Sequence, residues 1–224
     1  MAVSNPMPYP QLPLPLLTPP AQTLDNFVPG RNSEALAVAR ELAAGGGPQF
    51  VYFWGPPGSG RTHLLTALSN ACARSGAGGE AVRLHTADDV HALDEPGQAR
   101  LFLLLDTVRS DPSARLVAAG DRPPARLPLR EDVRSRLGWG LALALQPLSE
   151  EEKADALRAQ LTARGVRAAA DLIDYMLSHL PRDMRALAAI LDALDGYSLQ
   201  RGRGLTVPLL RAWLLEQAGK MPTE

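Results

Sequence analysis

Phe50-Val-Tyr-Phe-Trp54 runs directly into Gly55-Pro-Pro-Gly-Ser-Gly-Arg-Thr62, and the helical pattern His63-Leu-Leu-Thr-Ala-Leu-Ser-Asn-Ala-Cys72 follows. An apolar strand, a glycine-rich turn and a helix, in that order, make a phosphate-binding loop. Glycines let backbone N–H groups close around phosphate oxygens. The helix start presents its unsatisfied N–H groups and its positive dipole end to the same charge. The stretch therefore predicts a nucleotide site, against the alternative of a Gly/Pro turn that binds nothing. Arg61 stands where a lysine is usual before Thr62. It keeps the positive charge but is a planar fork rather than a compact ammonium, so the loop predicts binding and does not by itself predict fast hydrolysis.

The chain has 224 residues, enough for one or two domains, and its 46% hydrophobic content supports a proper core. Lys and Arg number 23 against 24 Asp and Glu, a formal charge of −1, so no global basic field recruits nucleic acid. Cys72 is the single cysteine, which excludes an intramolecular disulfide and fits a reducing compartment. No run reaches the roughly 18 apolar residues of a membrane span, and no charged leader precedes an apolar stretch. The expected location is the cytoplasm, with no membrane contact.

Upstream, Pro6, Pro8, Pro10, Pro13, Pro15, Pro19 and Pro20 favour an extended tail over residues 1–22. Within it, Gln11-Leu-Pro-Leu-Pro-Leu16 sets Leu12, Leu14 and Leu16 at alternate positions behind Gln11. Apolar anchors on a stiff extended backbone suit docking into a partner's groove. A proline-rich linker packing on its own domain is the other reading. A turn-rich stretch with Phe27 and Val28 leads to a helix expected from Ser33, with Ser33 as N-cap and Gly45-Gly-Gly-Pro48 as its stop.

Downstream, Ala81–Ala87 reads as a strand that delivers Asp88 and Asp89. Two acids at a strand end suit Mg²⁺ coordination, with Thr62 and Asp88 on the metal and Asp89 orienting the attacking water. Either acid would equally cap a helix. Arg83, His85 and Thr86 make this strand polar for a central parallel position, and the interval from Thr62 is short for a strand and crossover. Either one strand is missing between 70 and 93, or 81–87 is a peripheral strand and the acids are displaced. Residues 98–109 read as a helix and Arg115–Gly120 as a buried strand ending at Asp121, whose sign suits water, Mg²⁺ or a turn. Arg134 and Arg136 precede a Gly-Trp-Gly turn and the strand Leu141–Leu145. They are surface charges, or one of them reaches a neighbour's nucleotide.

From Ser149 the pattern becomes wholly helical. A capping box opens the first helix and Gly165 closes it, a second covers about 168–180, a third runs from Arg182 to near Gly196, and Thr206 and Pro208 start a fourth. Arg185, in the first turn of the third helix, could reach a bound phosphate or remain solvated. His63, His85, His91 and His179 have no metal-ligand spacing.

These motifs together are similar to the Hda family, DnaA-related regulatory inactivators of bacterial replication initiation. The phosphate loop, Asp88-Asp89, Arg136 in Arg-Ser-Arg-Leu-Gly-Trp-Gly, Arg185 in Arg-Asp-Met-Arg-Ala-Leu and Gln11–Leu16 carry the resemblance. Gly120-Asp-Arg-Pro-Pro124 and Leu145-Gln-Pro-Leu-Ser149 extend it over nearly the whole chain. It implies an α/β fold: an AAA+ type P-loop core with a parallel sheet flanked by helices over 23–147, then a small all-helical lid over 148–224. ADP or ATP would be bound by Gly55, Pro56, Pro57, Gly58, Ser59, Gly60, Arg61, Thr62 and His63, with Phe27 and Val28 by the base. Asp121 falls at the first sensor position and Arg185 resembles the lid's sensor arginine.

Arg136 resembles the arginine finger that completes ATP-bound DnaA in trans, and Gln11–Leu16 the motif that holds the sliding clamp, the β subunit of DNA polymerase. The implied protein is a replisome-associated negative regulator that stimulates hydrolysis of DnaA-bound ATP, meets DNA only through the clamp, and is itself no efficient ATPase. The resemblance leaves a homo-oligomer open and expects no further DNA-binding domain after the lid. A nucleotide-binding adaptor tethered to the clamp without effect on hydrolysis is the competing reading. An initiator fragment that binds origin DNA is the third, and the net charge opposes it.

Overall fold

The computed structural model describes residues 20–75 and 83–219. The clamp-type motif at Gln11, Leu12, Leu14 and Leu16 lies outside the described residues. The chain divides into two compact units, one formed by Ala21–Ser149 and the other containing the residues from Glu150 onward.

The first unit is built on four parallel strands, β1 (Phe50–Trp54), β2 (Arg83–Ala87), β3 (Ala114–Gly120) and β4 (Leu141–Ala144), in the spatial order β2-β3-β1-β4. Parallel neighbours need crossover connections, and α1 (Ser33–Ala43), α2 (Arg61–Ser75), α3 (Glu95–Arg109) and the short α4 (Glu131–Leu137) flank the sheet. The two-residue period of a strand sorts β1 onto two cores. Val51 and Phe53 join Leu36, Leu42, Leu64 and Leu68 of α1 and α2, while Tyr52 joins Leu101, Leu105 and Val133 of α3 and α4. The sheet is covered on both faces, as parallel sheets require.

Burial follows position in the sheet. β1 and β3 have buried cores, whereas β2 and β4 alternate between half-buried and exposed residues. The polar composition of β2 has its reason here. Among the described residues it pairs with β3 alone, so Arg83 and Thr86 are open to water. It is the edge strand of the described sheet, in register from Arg83 opposite Ala114 to Ala87 opposite Ala118.

Several expected helix ends shift, among them the start of the helix expected from about 168, which begins at Leu172. Asn32, not Ser33, precedes α1, and its side chain makes no cap. Its Nδ2 donates to Gln146 O (2.8 Å) and its Oδ1 accepts from Gln146 N–H (2.8 Å), tying the start of α1 to the chain after β4. α3 begins at Glu95 rather than Gln98, because Asp94 caps it by accepting from Gly97 N–H and Pro96 sits in the first turn, where it costs nothing.

The second unit contains α5 (Glu150–Ala163), α6 (Leu172–His179), α7 (Met184–Arg201) and α8 (Val207–Gly219) around Leu157, Leu172, Met176, Leu187, Leu194 and Leu210. α7 passes through Gly196 and stops at Gly202, which takes the left-handed conformation (φ 59°) that terminates helices. Leu194 and Ser198 are buried on the same side, so packing carries the helix across the glycine. Asp183 caps α7 by accepting from Ala186 N–H.

Gly140 leads into β4 where a Cβ would fall inside the van der Waals surface of the Phe50 carbonyl, a backbone atom that cannot swing away. Gly140→Ala is expected to destabilise the first unit by at least about 1–3 kcal/mol, read as a lower urea midpoint with an unchanged slope. An unchanged midpoint would show that β1 and the Gly-Trp-Gly turn do not approach so closely.

Candidate functional site

The loop from Gly55 to Thr62 hangs from the C-terminal end of the sheet. Gly55 N–H donates to Gly120 O (3.2 Å) and Leu145 N–H donates to Trp54 O (2.6 Å), so both neighbours of β1 grip the strand where the loop leaves it. Pro56, Pro57 and Gly58 are exposed, and Gly60 takes φ +93°, a region closed to most side chains. The first bond within α2 runs from Leu64 N–H to Gly60 O, so the helix opens on donors without an i−4 partner. Ser59 is 4% exposed and its Oγ is buried with no hydrogen-bond partner. A buried orphan hydroxyl beside a helix start is a group awaiting an acceptor or donor, and the cradle fits the phosphates of a nucleotide.

Phe27 is buried against this loop. Its ring meets His63 edge-on at 5.3 Å between centroids, and a Cβ on Gly60 would lie 2.8 Å from its Cε2. His63 Nε2 lies 3.0 Å from Thr23 O and 3.1 Å from Asn26 Oδ1. The turn before α1 thus lies on the loop, with Val28 half-buried beside it. Phe27 also belongs to the α1/α2 core, so it supports the loop from the apolar side.

Asp88 and Asp89 follow β2, and Asp89 comes to the loop. Arg61 Nη2 lies 3.5 Å from Asp89 Oδ1, with the Arg61 side chain only 11% exposed and its Nη1 buried without a partner. Asp89 is therefore not displaced from the loop. Asp89 is the one non-glycine residue with positive φ among the described residues (φ 45°), and its N–H donates to Asp88 Oδ1 (2.8 Å). Local bonding of this kind lets an aspartate hold the left-handed region.

Sequence reasoning missed His91, Tyr52 and Arg122 here. His91 Nδ1 lies 3.8 Å from Asp89 Oδ1 and has no hydrogen bond. Asp121 binds Arg122 through both oxygens, Nε to Oδ1 at 2.8 Å and Nη2 to Oδ2 at 2.6 Å, which holds its carboxyl below the usual carboxylate range. The Tyr52 hydroxyl donates to Arg122 O (2.9 Å). Only the proximity of Asp121 and Arg122 in sequence offered a hint; the rest depends on strand register.

The expected metal site fares differently from the phosphate site. Thr62 is exposed at the helix start; Asp89 faces Arg61 and Asp121 binds Arg122, while Asp88 gives one oxygen to the Asp89 N–H. Among the described residues, no group of three or more His, Cys, Asp or Glu side chains is placed to hold a metal ion. Thr62 and Asp88 alone bring one hydroxyl and one carboxylate, fewer protein oxygens than a cation held by side chains alone requires.

Arg136 lies at the other end of the sheet. Its Nε donates to Asp106 Oδ1 (3.0 Å), its Nη1 to Asp132 O (3.0 Å), and its guanidinium stacks over Phe102 (4.1 Å) and Trp139 (5.2 Å). Trp139 meets Phe50, the first residue of β1, edge-on at 5.7 Å. Five residues of strand, roughly 13 Å, separate Phe50 from the loop end of β1. Arg185 is exposed in the first turn of α7.

Residues 150–214 match the family model described as the Hda lid domain, and residues 19–89 match that of the bacterial DnaA ATPase domain. Among solved structures, the chain is similar to domain III of the replication initiation protein DnaA from Thermotoga maritima, at 23% identity and a TM-score of 0.66, covering 92% of this chain and 99% of that one. AMPPCP-bound DnaA from Aquifex aeolicus is similar at 21% identity and a TM-score of 0.63, with 79% of this chain and 65% of that chain covered. A Thermotoga maritima RuvB variant is similar at 17% identity and a TM-score of 0.58, covering 90% and 72%. These likenesses bear out an AAA+ type fold with a helical lid, and the two family matches carry the resemblance to the Hda family. No helix among the described residues is long and apolar enough to cross a membrane.

Burial pushes the Tyr52 hydroxyl well above the usual phenol range; Asp121 adds to this, and Arg61 and Arg122 oppose it. A raised folded pKa means the unfolded chain loses the proton first, so this stability is present below about pH 10 and is lost as pH rises beyond it. Urea unfolding at about pH 9 and about pH 11 is expected to show a smaller alkaline loss for Tyr52→Phe than for the parent. At neutral pH the variant should lose about 1 kcal/mol for the missing hydrogen bond.

Proposed function

We propose, for a chain that combines a DnaA-type ATPase domain with an Hda-type lid, that it binds an adenine nucleotide and stimulates hydrolysis of ATP held by a DnaA initiator. It thereby limits re-initiation of bacterial replication. The observation that carries this reading is the placement of Arg136 at the strand-start end of the sheet, away from the chain's own phosphate loop. An arginine there is out of reach of its own nucleotide, so any nucleotide it serves is held by another molecule. Its guanidinium would stabilise charge on the transferring phosphoryl group, the role of an arginine finger. The Asp106 contact and the two aromatic faces fix its position, which reduces the entropy lost on engagement.

Gln11, Leu12, Leu14 and Leu16 would dock on the sliding clamp and so confine the activity to replicating DNA. In this reading Arg185 is the lid's sensor arginine for the bound nucleotide and Asp121 the first sensor. The chain itself acts in the cytoplasm as an activator of its partner, with DNA met only through the clamp.

One observation favours the adaptor reading. Arg136 is 23% exposed and fully engaged within its own unit, and an arginine so held also reads as a structural group. Hydrolysis of DnaA-bound ATP on clamp-loaded DNA separates the two. Arg136→Ala is expected to lower the stimulated rate by about a thousandfold while nucleotide binding by the loop is unchanged. Gln11→Ala with Leu14→Ala is expected to abolish stimulation only where the clamp is required. Equal turnover with and without Arg136 would leave the adaptor reading in its place.

A further inference from the structure

The nucleotide site proposed above has an unusual charge arrangement at its phosphate end. Arg61 takes the place of the usual lysine, is nearly buried, and points one arm at Asp89 (3.5 Å) while the other, Nη1, is buried without a partner. A lysine ammonium would present three donors from a single point. A guanidinium has five donors in a fixed fork and can face an acid and a phosphate together. The orphaned Ser59 Oγ belongs to the same loop.

Two of the three acids near the loop face guanidinium groups, and the third gives one oxygen to a backbone N–H. Asp88 Oδ1 accepts the Asp89 N–H (2.8 Å), Asp89 Oδ1 faces Arg61 and His91 (3.5 and 3.8 Å), and both oxygens of Asp121 bind Arg122 (2.8 and 2.6 Å). Mg²⁺ demands near-octahedral oxygen ligands, usually anchored by one or two free carboxylates. A dication brought here would find Asp89 and Asp121 facing guanidinium groups, with Asp88 the one acid of the three that has no cationic partner.

We propose that this loop binds its nucleotide without a divalent cation, the Arg61 guanidinium supplying to the phosphates the positive charge that Mg²⁺ would otherwise bring, with Asp89 as its counter-ion. The inference rests on the nucleotide-binding reading and gives it a mechanism. In this arrangement Asp89 balances the charge of Arg61 rather than orienting an attacking water.

The test is the affinity of the full chain for ADP by calorimetry, in Mg²⁺ and in EDTA. Affinities within about threefold of one another are expected. A loss of about tenfold or more in EDTA would overturn the inference and leave the nucleotide site standing, whereas no binding in either medium would overturn both. Arg61→Ala is expected to lose more than about tenfold in EDTA and to recover part of it when Mg²⁺ is added. Parental affinity of this variant in EDTA would overturn the proposal. Asp89→Asn guards against a misfolded Arg61 variant. It removes negative charge beside the phosphates and is expected to bind ADP in EDTA at least as tightly as the parent, and weaker binding would sink the idea.

Discussion

The end of β1 is gripped on both sides, by Gly55 N–H to the Gly120 carbonyl and by Leu145 N–H to the Trp54 carbonyl. Everything at the phosphate loop depends on this grip. A loop of glycines and prolines has no stiffness of its own, and its donors converge only if the two ends it springs from are fixed. The sheet fixes one end and the core beneath α2 fixes the other. The second tie, between Asn32 and Gln146, brings the turn bearing Phe27 against the same loop.

The loop, its strand and its helix were legible in the sequence because their chemistry is local: an apolar run, a glycine spacing and an N-terminal turn. The helical lid was legible for the same reason, through capping residues and apolar spacing. What could not be read is what comes from register. That β2 lies beside β3 at an edge explains Arg83 and Thr86, and no periodicity announces it. Asp94 rather than Gln98 governs the start of α3, and Gly202 rather than Gly196 ends α7, because capping geometry and core packing outweigh single-residue propensity.

The candidate site divides along the same line. Ser59, Arg61 and Thr62 are placed by their neighbours in sequence. The meeting of Arg61 with Asp89, and of Asp121 with Arg122 and Tyr52, needs three strands to end together. Asp106 is the plainest case: nothing in the apolar stripe of α3 marks it, yet it holds Arg136 thirty residues further along the chain. A residue type suggests what chemistry is available, and the pairing decides which of its atoms are left to do it.

The position of β2 has a consequence for how such a chain tolerates change. The loop is served by β1, β3 and the chain after β4, and β2 contributes only the acids at its tip. Length can therefore be gained or lost beyond β2 without moving a phosphate-binding atom, provided that whichever strand ends the sheet carries charge to discourage pairing with a second molecule. Arg83, exposed and ion-paired to Asp111, meets that requirement. In the described sheet the phosphate loop thus springs from the interior strand β1, with the charged strand β2 two places away.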